Sequence, residues 1–427
     1  MFGKAEKISK IRLPFGSRDI FPVESSQRNA IRKLIRKEFK SWGYGEVKTP
    51  VMEYTENISI GVGTEWKDKL ISFIDIDGNL ISLRADMTIP IARLAGMRLR
   101  KNQLPARFCY FSDVFRQAGS QAGNKRVFSQ AGLEYLGSGS RMEADAEIMI
   151  ILIRILRDLG LEDFRVVIGH IGFMGGLFKW LGLDEEKKSK LKKYIIEKDF
   201  VRIEKLLEEC DKGKAGVFMG LIQPGNDLEK ISGIVSEMCE AEVSKAFEYL
   251  KGLYRILEGQ NLGRYLVFDF SIIRDFDYYT GLLFEVYCRG LSDMIGSGGR
   301  YDDLIKKFGR DIPATGFALD IDILHGALGD KDLSGRIKIL LNCPGCCGNM
   351  GTFMELADSI RKKGVDAEIL LDETDDTLML AGEKDCAFLV DVLDDLSSFR
   401  ITDTEINKTK TLDKTGLWEE IDKWTKD

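Results

Sequence analysis

Two histidines, His170 and His325, are all that the 427 residues contain. A structural zinc site needs four closely spaced ligands, so nearly all of them would have to be cysteines. Of the eight cysteines, only Cys343, Cys346 and Cys347 lie near one another, and neither histidine stands at ligand spacing to them. The segment Asn342-Cys-Pro-Gly-Cys-Cys-Gly348 therefore reads as a strand-to-helix loop that holds thiols, not as a zinc or redox centre. The remaining cysteines are scattered, which suits reduced thiols in a cytoplasmic protein. No stretch approaches the ~20 apolar residues of a membrane-spanning helix. Met1 to Lys10 carries no apolar run fit for a signal peptide, so a cytoplasmic location is expected. Fixed-period repeats and low-complexity tracts are also missing.

Basic residues are scarce at one end. Arg336 to Asp427 holds 12 Lys and Arg against 20 Asp and Glu, leaving 50 against 48 for the rest of the chain. A nucleic-acid-reading domain needs a basic footprint, because phosphate neutralisation dominates its affinity. The acidic segment speaks against a nucleic-acid partner. What is present is an ordinary globular composition, 44% hydrophobic and 30% charged, at a length that divides into two or three domains.

The pattern predicts an opening helix capped by Ser25 or Ser26, with Ile31, Leu34, Ile35, Phe39 and Trp42 on one face and Gly43 and Gly45 as its stop. Val47 to Glu53 reads as a strand interrupted by Pro50, which confines it to a sheet edge or bulge. Phe73 to Leu83 reads as a hairpin turning at Asp77-Gly78-Asn79. A longer hairpin is expected from Arg107 to Gln117 and Arg126 to Leu136, followed by a helix from about Glu143 to Asp158. The highly charged stretch from about Phe173 to Gly259 reads as an inserted helical module. Tyr265 to Phe270 then returns to the sheet. Gly329 to Gly335 is the expected linker. Beyond it Ile337 to Leu341, Gly351 to Lys363, Ala367 to Leu371 and Ala387 to Asp391 alternate strand and helix, as in a small α/β domain.

Four segments carry chemistry. In Arg126-Val-Phe-Ser-Gln-Ala-Gly-Leu-Glu134 the strand period places Phe128, Gln130, Gly132 and Glu134 on one face. Two readings stand: a ligand wall in which Gly132 leaves room beside two acceptors, or a half-exposed strand whose polar face meets water. Arg84-Ala-Asp-Met-Thr88 reads as a helix start that Asp86 or Thr88 could cap. In Arg274-Asp-Phe-Asp-Tyr-Tyr-Thr-Gly-Leu-Leu-Phe-Glu285, Tyr278 and Tyr279 offer phenols to an imidazole and Arg274 offers a fork to a carboxylate. Gly296-Ser-Gly-Gly-Arg-Tyr-Asp302 lacks the Lys-Ser/Thr ending of a phosphate loop.

Together these segments resemble the histidyl-tRNA synthetase core, a class II aminoacyl-tRNA synthetase, over about residues 11 to 327. Gln130, Gly132 and Glu134 match that family's Gln-x-Gly-x-Glu. Arg116, in Phe115-Arg-Gln-Ala118, matches the arginine that meets the α-phosphate. Asp86 and Thr88 stand where the family's Arg-Pro-Glu-x-Thr binds the amino group of histidine. Asp86 keeps that motif's charge with a shorter reach and Ala85 replaces its proline; two further departures concern ATP. Ala118 replaces a glutamate, and Ile323, in Asp320-Ile-Asp-Ile-Leu324, replaces an arginine. Without that fixed cation several kcal/mol of stabilisation of adenylation's developing charge is lost. Asp86, with Pro90, Ala92 and Arg93 after it, is more similar to the regulatory subunits of ATP phosphoribosyltransferase, a non-synthetase branch.

The resemblance implies an α+β fold with an antiparallel sheet flanked by helices and a small C-terminal α/β domain. The expected domains are 1–328, with the insertion at about 173–259, and 336–427. It implies no catalysis and no cofactor or metal. Asp86, Thr88, Arg116, Gln130, Glu134, Arg274, Tyr278 and Tyr279 would bind histidine as an effector. The partner would be a short-form ATP phosphoribosyltransferase catalytic subunit, with the chain as a homodimer inside a hetero-oligomer. The alternatives are a divergent histidyl-tRNA synthetase and a stand-alone histidine- or tRNA-binding paralogue.

Overall fold

The computed structural model describes residues 12–62, 68–117, 125–223, 225, 228–272, 278–329, 337–343, 350–371, 374, 376–393 and 396–425. Two compact units emerge, one containing Arg28–Lys331 and the other Ile20–Gln27 together with Asp332–Asp427.

The first unit is organised around an eight-stranded sheet of order β1-β5-β6-β11-β10-β9-β7-β8. Its strands are β1 (Gly45–Glu46), β5 (Ala106–Phe115), β6 (Val127–Leu136), β7 (Phe164–His170), β8 (Leu266–Phe268), β9 (Leu282–Cys288), β10 (Gly296–Arg300) and β11 (Ala314–Asp320). All interior pairings are antiparallel, and only the edge pairs β1–β5 and β7–β8 are parallel. The long β5–β6 hairpin forms as the alternation predicts, with Tyr110 opposite Gly132 and Ser112 opposite Gln130.

The opening helix spans Pro22–Ser41 and buries Ile31, Ile35 and Phe39, while Leu34 and Trp42 stay half-buried. Its start lies before Ser25 and Ser26, so neither is the cap. Pro22 stands at its first position instead, where a missing N–H costs nothing. Gly43 ends it with φ +80°. The strand expected over Val47 to Glu53 is broken. Pro50 lies between β1 and β2 (Met52–Tyr54), which belong to different sheets. β2 joins the predicted hairpin of β3 (Ser72–Ile74) and β4 (Leu80–Leu83) in a three-stranded sheet of order β2-β4-β3.

Between β7 and β8 the helices Ile171–Leu181, Glu185–Ile196, Phe200–Glu208, Lys212–Ile222, Leu228–Met238 and Ala241–Glu258 account for the charged stretch. Several are N-capped by aspartates, among them Asp184 and Asp211.

The second unit carries a five-stranded sheet of order β13-β12-β14-β15-β16, from β12 (Lys338–Asn342), β13 (Asp366–Leu370), β14 (Phe388–Leu393), β15 (Ser398–Asp403) and β16 (Thr409–Asp413). β13, β12 and β14 are parallel, as strand–helix alternation requires, and β15 and β16 add an antiparallel hairpin. Cys343, at the end of β12, is disulfide-bonded, which corrects the reading of it as a thiol. Cys346, Cys347 and nearly all of the expected linker lie outside the described residues. Among the described residues no group of histidine, cysteine and carboxylate side chains could hold a metal, and no helix is long and apolar enough to cross a membrane.

Candidate functional site: a buried carboxylate pocket on the large sheet

The pocket begins with backbone geometry. Arg84 is buried, and its guanidinium donates to the carbonyls of Asp113 at 2.8 Å and Thr49 at 3.0 Å. These bonds pin the turn Ala85 to Met87, and the helix Thr88–Arg98 starts immediately after it. Asp86 Oδ1 accepts from the backbone N–H of Ile89 at 3.3 Å from one position before the N-cap residue, Met87, so neither Asp86 nor Thr88 is the cap itself. Its other oxygen accepts from the Tyr278 hydroxyl at 3.4 Å.

Glu134, on β6, is 1% exposed. The Thr88 hydroxyl donates to its Oε1 at 3.1 Å, and the Tyr301 hydroxyl donates to its Oε2. The pocket beside this carboxylate has a volume of about 50 Å³. Asp86, Thr88, Arg116, Gln130, Tyr278 and Tyr279 line it, together with Ser297 and Gly298 of β10. Residues from five separate segments thus converge, and all the predicted site positions within the described residues are brought together. Arg274 and Ala118 lie outside those residues.

Two sequence readings need correction. Gly132 does not leave ligand space. A side chain there would meet the Tyr110 ring and hydroxyl at 2.4 Å, so Tyr110 already fills the gap. The half-exposed-strand reading of β6 also fails, because Ala131 to Leu136 are all buried. Tyr110 and Tyr301 are the side chains sequence reasoning missed. Tyr301 stood inside a segment singled out for its glycines, and Tyr110 was legible only once its register against Gly132 was known.

Electrostatics set the character of the pocket. Burial pushes the Glu134 carboxyl up to about 8, with Asp86 adding to the rise and the bonds from Tyr301 and Thr88 opposing it. Burial also pushes Asp86 up to about 6, against the Ile89 N–H, the Arg116 charge and the Tyr278 bond. Both carboxyls therefore hold their protons to higher pH than usual, Glu134 more strongly than Asp86. This pair can take an amine beside Asp86 and share a proton with a weak base beside Glu134. Arg116 donates to the Ala85 carbonyl at 3.0 Å and lies 5.6 Å from the Phe128 ring centre.

Ile323, which the sequence resemblance sets at the position of an arginine, occupies the first turn of the helix Ile321–Leu328. It is half-buried, and its N–H donates to Asp320 at 3.0 Å. The next residue back, Asp322, pairs with the buried Arg28. No cation at position 323 is available to a nucleotide.

The histidyl-tRNA synthetase family matches residues 16–324. An ATP phosphoribosyltransferase regulatory subunit from Clostridium kluyveri is 34% identical over 388 residues, covering 88% of this chain and 98% of the relative. Its counterpart from Geobacillus thermodenitrificans is 33% identical, covering 84% and 91%. A crystal structure from Bacillus halodurans, described as an ATP phosphoribosyltransferase regulatory subunit/histidyl-tRNA synthetase, is similar at 30% identity with a TM-score of 0.75, over 90% of this chain and 97% of the other. Histidyl-tRNA synthetase from Nostoc shares the fold with a TM-score of 0.82 at 18% identity, over 97% and 99%. The chain belongs to the ATP phosphoribosyltransferase regulatory subunits, a non-catalytic family built on the class II histidyl-tRNA synthetase fold and serving histidine biosynthesis.

Proposed function

We propose that this regulatory subunit senses histidine through the pocket at Asp86, Thr88, Arg116, Gln130, Glu134, Tyr278 and Tyr279, with Arg274 completing the set, and passes the signal to its catalytic partner. One observation carries the reading. The residues that suit an amino acid gather around the buried carboxyls of Asp86 and Glu134, while the position that would serve a nucleotide has an aliphatic side chain, Ile323. Asp86 suits the ammonium group, and Glu134 with the tyrosine phenols suits an imidazole.

The partner is a short-form catalytic subunit, and the chain enters the complex as a homodimer in the cytoplasm. Val51, Met52, Tyr54, Phe73, Ile74 and Leu80 are exposed on and beside the β2-β4-β3 sheet, an apolar surface fit to pack on a second copy. Histidine shifts the complex only if it binds two of its states with different affinity, and the linkage is reciprocal.

The test is reconstitution. Co-purification with the catalytic subunit, followed by rate measurement with and without histidine, is expected to give a complex whose phosphoribosyl transfer histidine inhibits. A chain that fails to co-purify at micromolar concentration would be a stand-alone histidine-binding paralogue.

A further inference from the structure

We infer that Tyr301 is a positioning residue that holds Glu134 in one geometry to receive the ligand's ring N–H, and that Gly316 is the gap which permits that geometry. The inference rests on the reading of the pocket as a histidine site. Neither residue stood among the expected binding positions.

Glu134 is buried and held by two hydroxyl donors. Its two oxygens are each taken by one donor, Thr88 on Oε1 at 3.1 Å and Tyr301 on Oε2. An ionised carboxylate offers about four acceptor sites, so about two remain for a ligand. Across the sheet, Glu134 stands in register with Gly316 of β11. A Cβ at Gly316 would lie 1.8 Å from Oε2 and 2.7 Å from the carboxyl carbon, so only glycine admits the carboxyl group there. Tyr301 is itself 2% exposed and packs edge-on against Tyr278 at 5.9 Å. The phenol that holds Glu134 is thereby locked to the phenol that holds Asp86. Such prior fixing lowers the entropy lost when a ligand binds.

The groups that act on Glu134 are the Thr88 and Tyr301 hydroxyls, which favour its charged form, and Asp86, which opposes it. Glu134 in turn acts on Tyr110 and Tyr278. Removing the Tyr301 hydroxyl takes away a donor that favours the charged carboxylate, so Glu134 must titrate at higher pH.

The experiment is calorimetric titration of L-histidine into the full-length chain from about pH 6 to about pH 9, which spans the free imidazole and the Glu134 carboxyl. The wild type is expected to bind best between those two titrations, where ring and carboxyl share one proton. Tyr301→Phe keeps the ring packing and is expected to lose about tenfold in affinity, as for one hydrogen bond to a charged group. Its upper pH edge should move to higher pH. Gly316→Ala, which displaces the carboxyl, should lose at least as much, and Glu134→Gln should abolish the upper edge. A Tyr301→Phe protein that binds as the wild type does, or loses affinity with its pH edge unmoved, overturns the inference if Glu134→Gln still weakens binding. Unchanged affinity in Glu134→Gln would overturn the pocket reading itself, and this inference with it.

Discussion

Glu134→Ala is expected to abolish inhibition of the assembled phosphoribosyltransferase by histidine while leaving the complex assembled. Truncating one partner of a buried, hydrogen-bonded charge pair, here the carboxylate facing a ring that shares its proton, costs about 2–5 kcal/mol. At about 1.4 kcal/mol per tenfold, that weakens histidine binding roughly thirtyfold to several-thousandfold. Assembly should survive because Glu134 is 1% exposed and has no surface to offer a partner. The loss acts on one ligand and one site, so the readout is the inhibition curve beside a sizing profile of the complex. A mutant complex inhibited at the wild-type histidine concentration would show that histidine acts elsewhere.

The second large effect concerns stability. Asp145→Ala is expected to lower the unfolding free energy by about 3 kcal/mol, with a fall of several degrees in melting temperature. Asp145 is fully buried in the helix Arg141–Asp158 and faces Arg300, which is 5% exposed, through bonds of 2.8 and 3.2 Å. The Tyr249 hydroxyl, from the helix Ala241–Glu258, donates to the same carboxylate at 2.6 Å. Removing the carboxylate leaves a buried guanidinium that still keeps Asp302 at 2.9 Å and the Arg141 carbonyl at 2.8 Å. Those two bonds hold the loss near the lower end of the range for broken buried pairs. Asp145→Asn, which keeps the shape and a bond to Tyr249, should lose less. Equal melting curves for wild type and Asp145→Ala would mean the pair contributes nothing.

Both predictions depend on contacts that differ in how far the sequence discloses them. Thr88, Gln130 and Glu134 were legible because their motifs are local and their order is unusual. The antiparallel β5–β6 hairpin was legible because its alternation is long and runs on both sides of a polar, glycine-bearing stretch of sequence. The Arg300–Asp145 pair was not, since 155 residues separate its members and a charged residue on an apolar helix looks solvated until its partner is known. Gly132 was misread for a related reason. A glycine in a strand signals a close approach, but only the register shows that Tyr110 makes it. The β15–β16 hairpin escaped because Thr409 to Asp413 is polar and exposed, with little hydrophobic pattern to read. Pro50 indicated an interruption correctly, yet the two flanking strands joined different sheets, which tertiary packing decides.

The central claim is that an amino-acid site has been kept while adenylation has been lost. Its most direct test is pyrophosphate exchange with ATP and histidine, run beside histidine-binding calorimetry on the same purified protein. Histidine binding without exchange is the expected result, because Ile323 places no cation where the reaction builds charge. Robust histidine-dependent exchange would contradict it and identify a working synthetase.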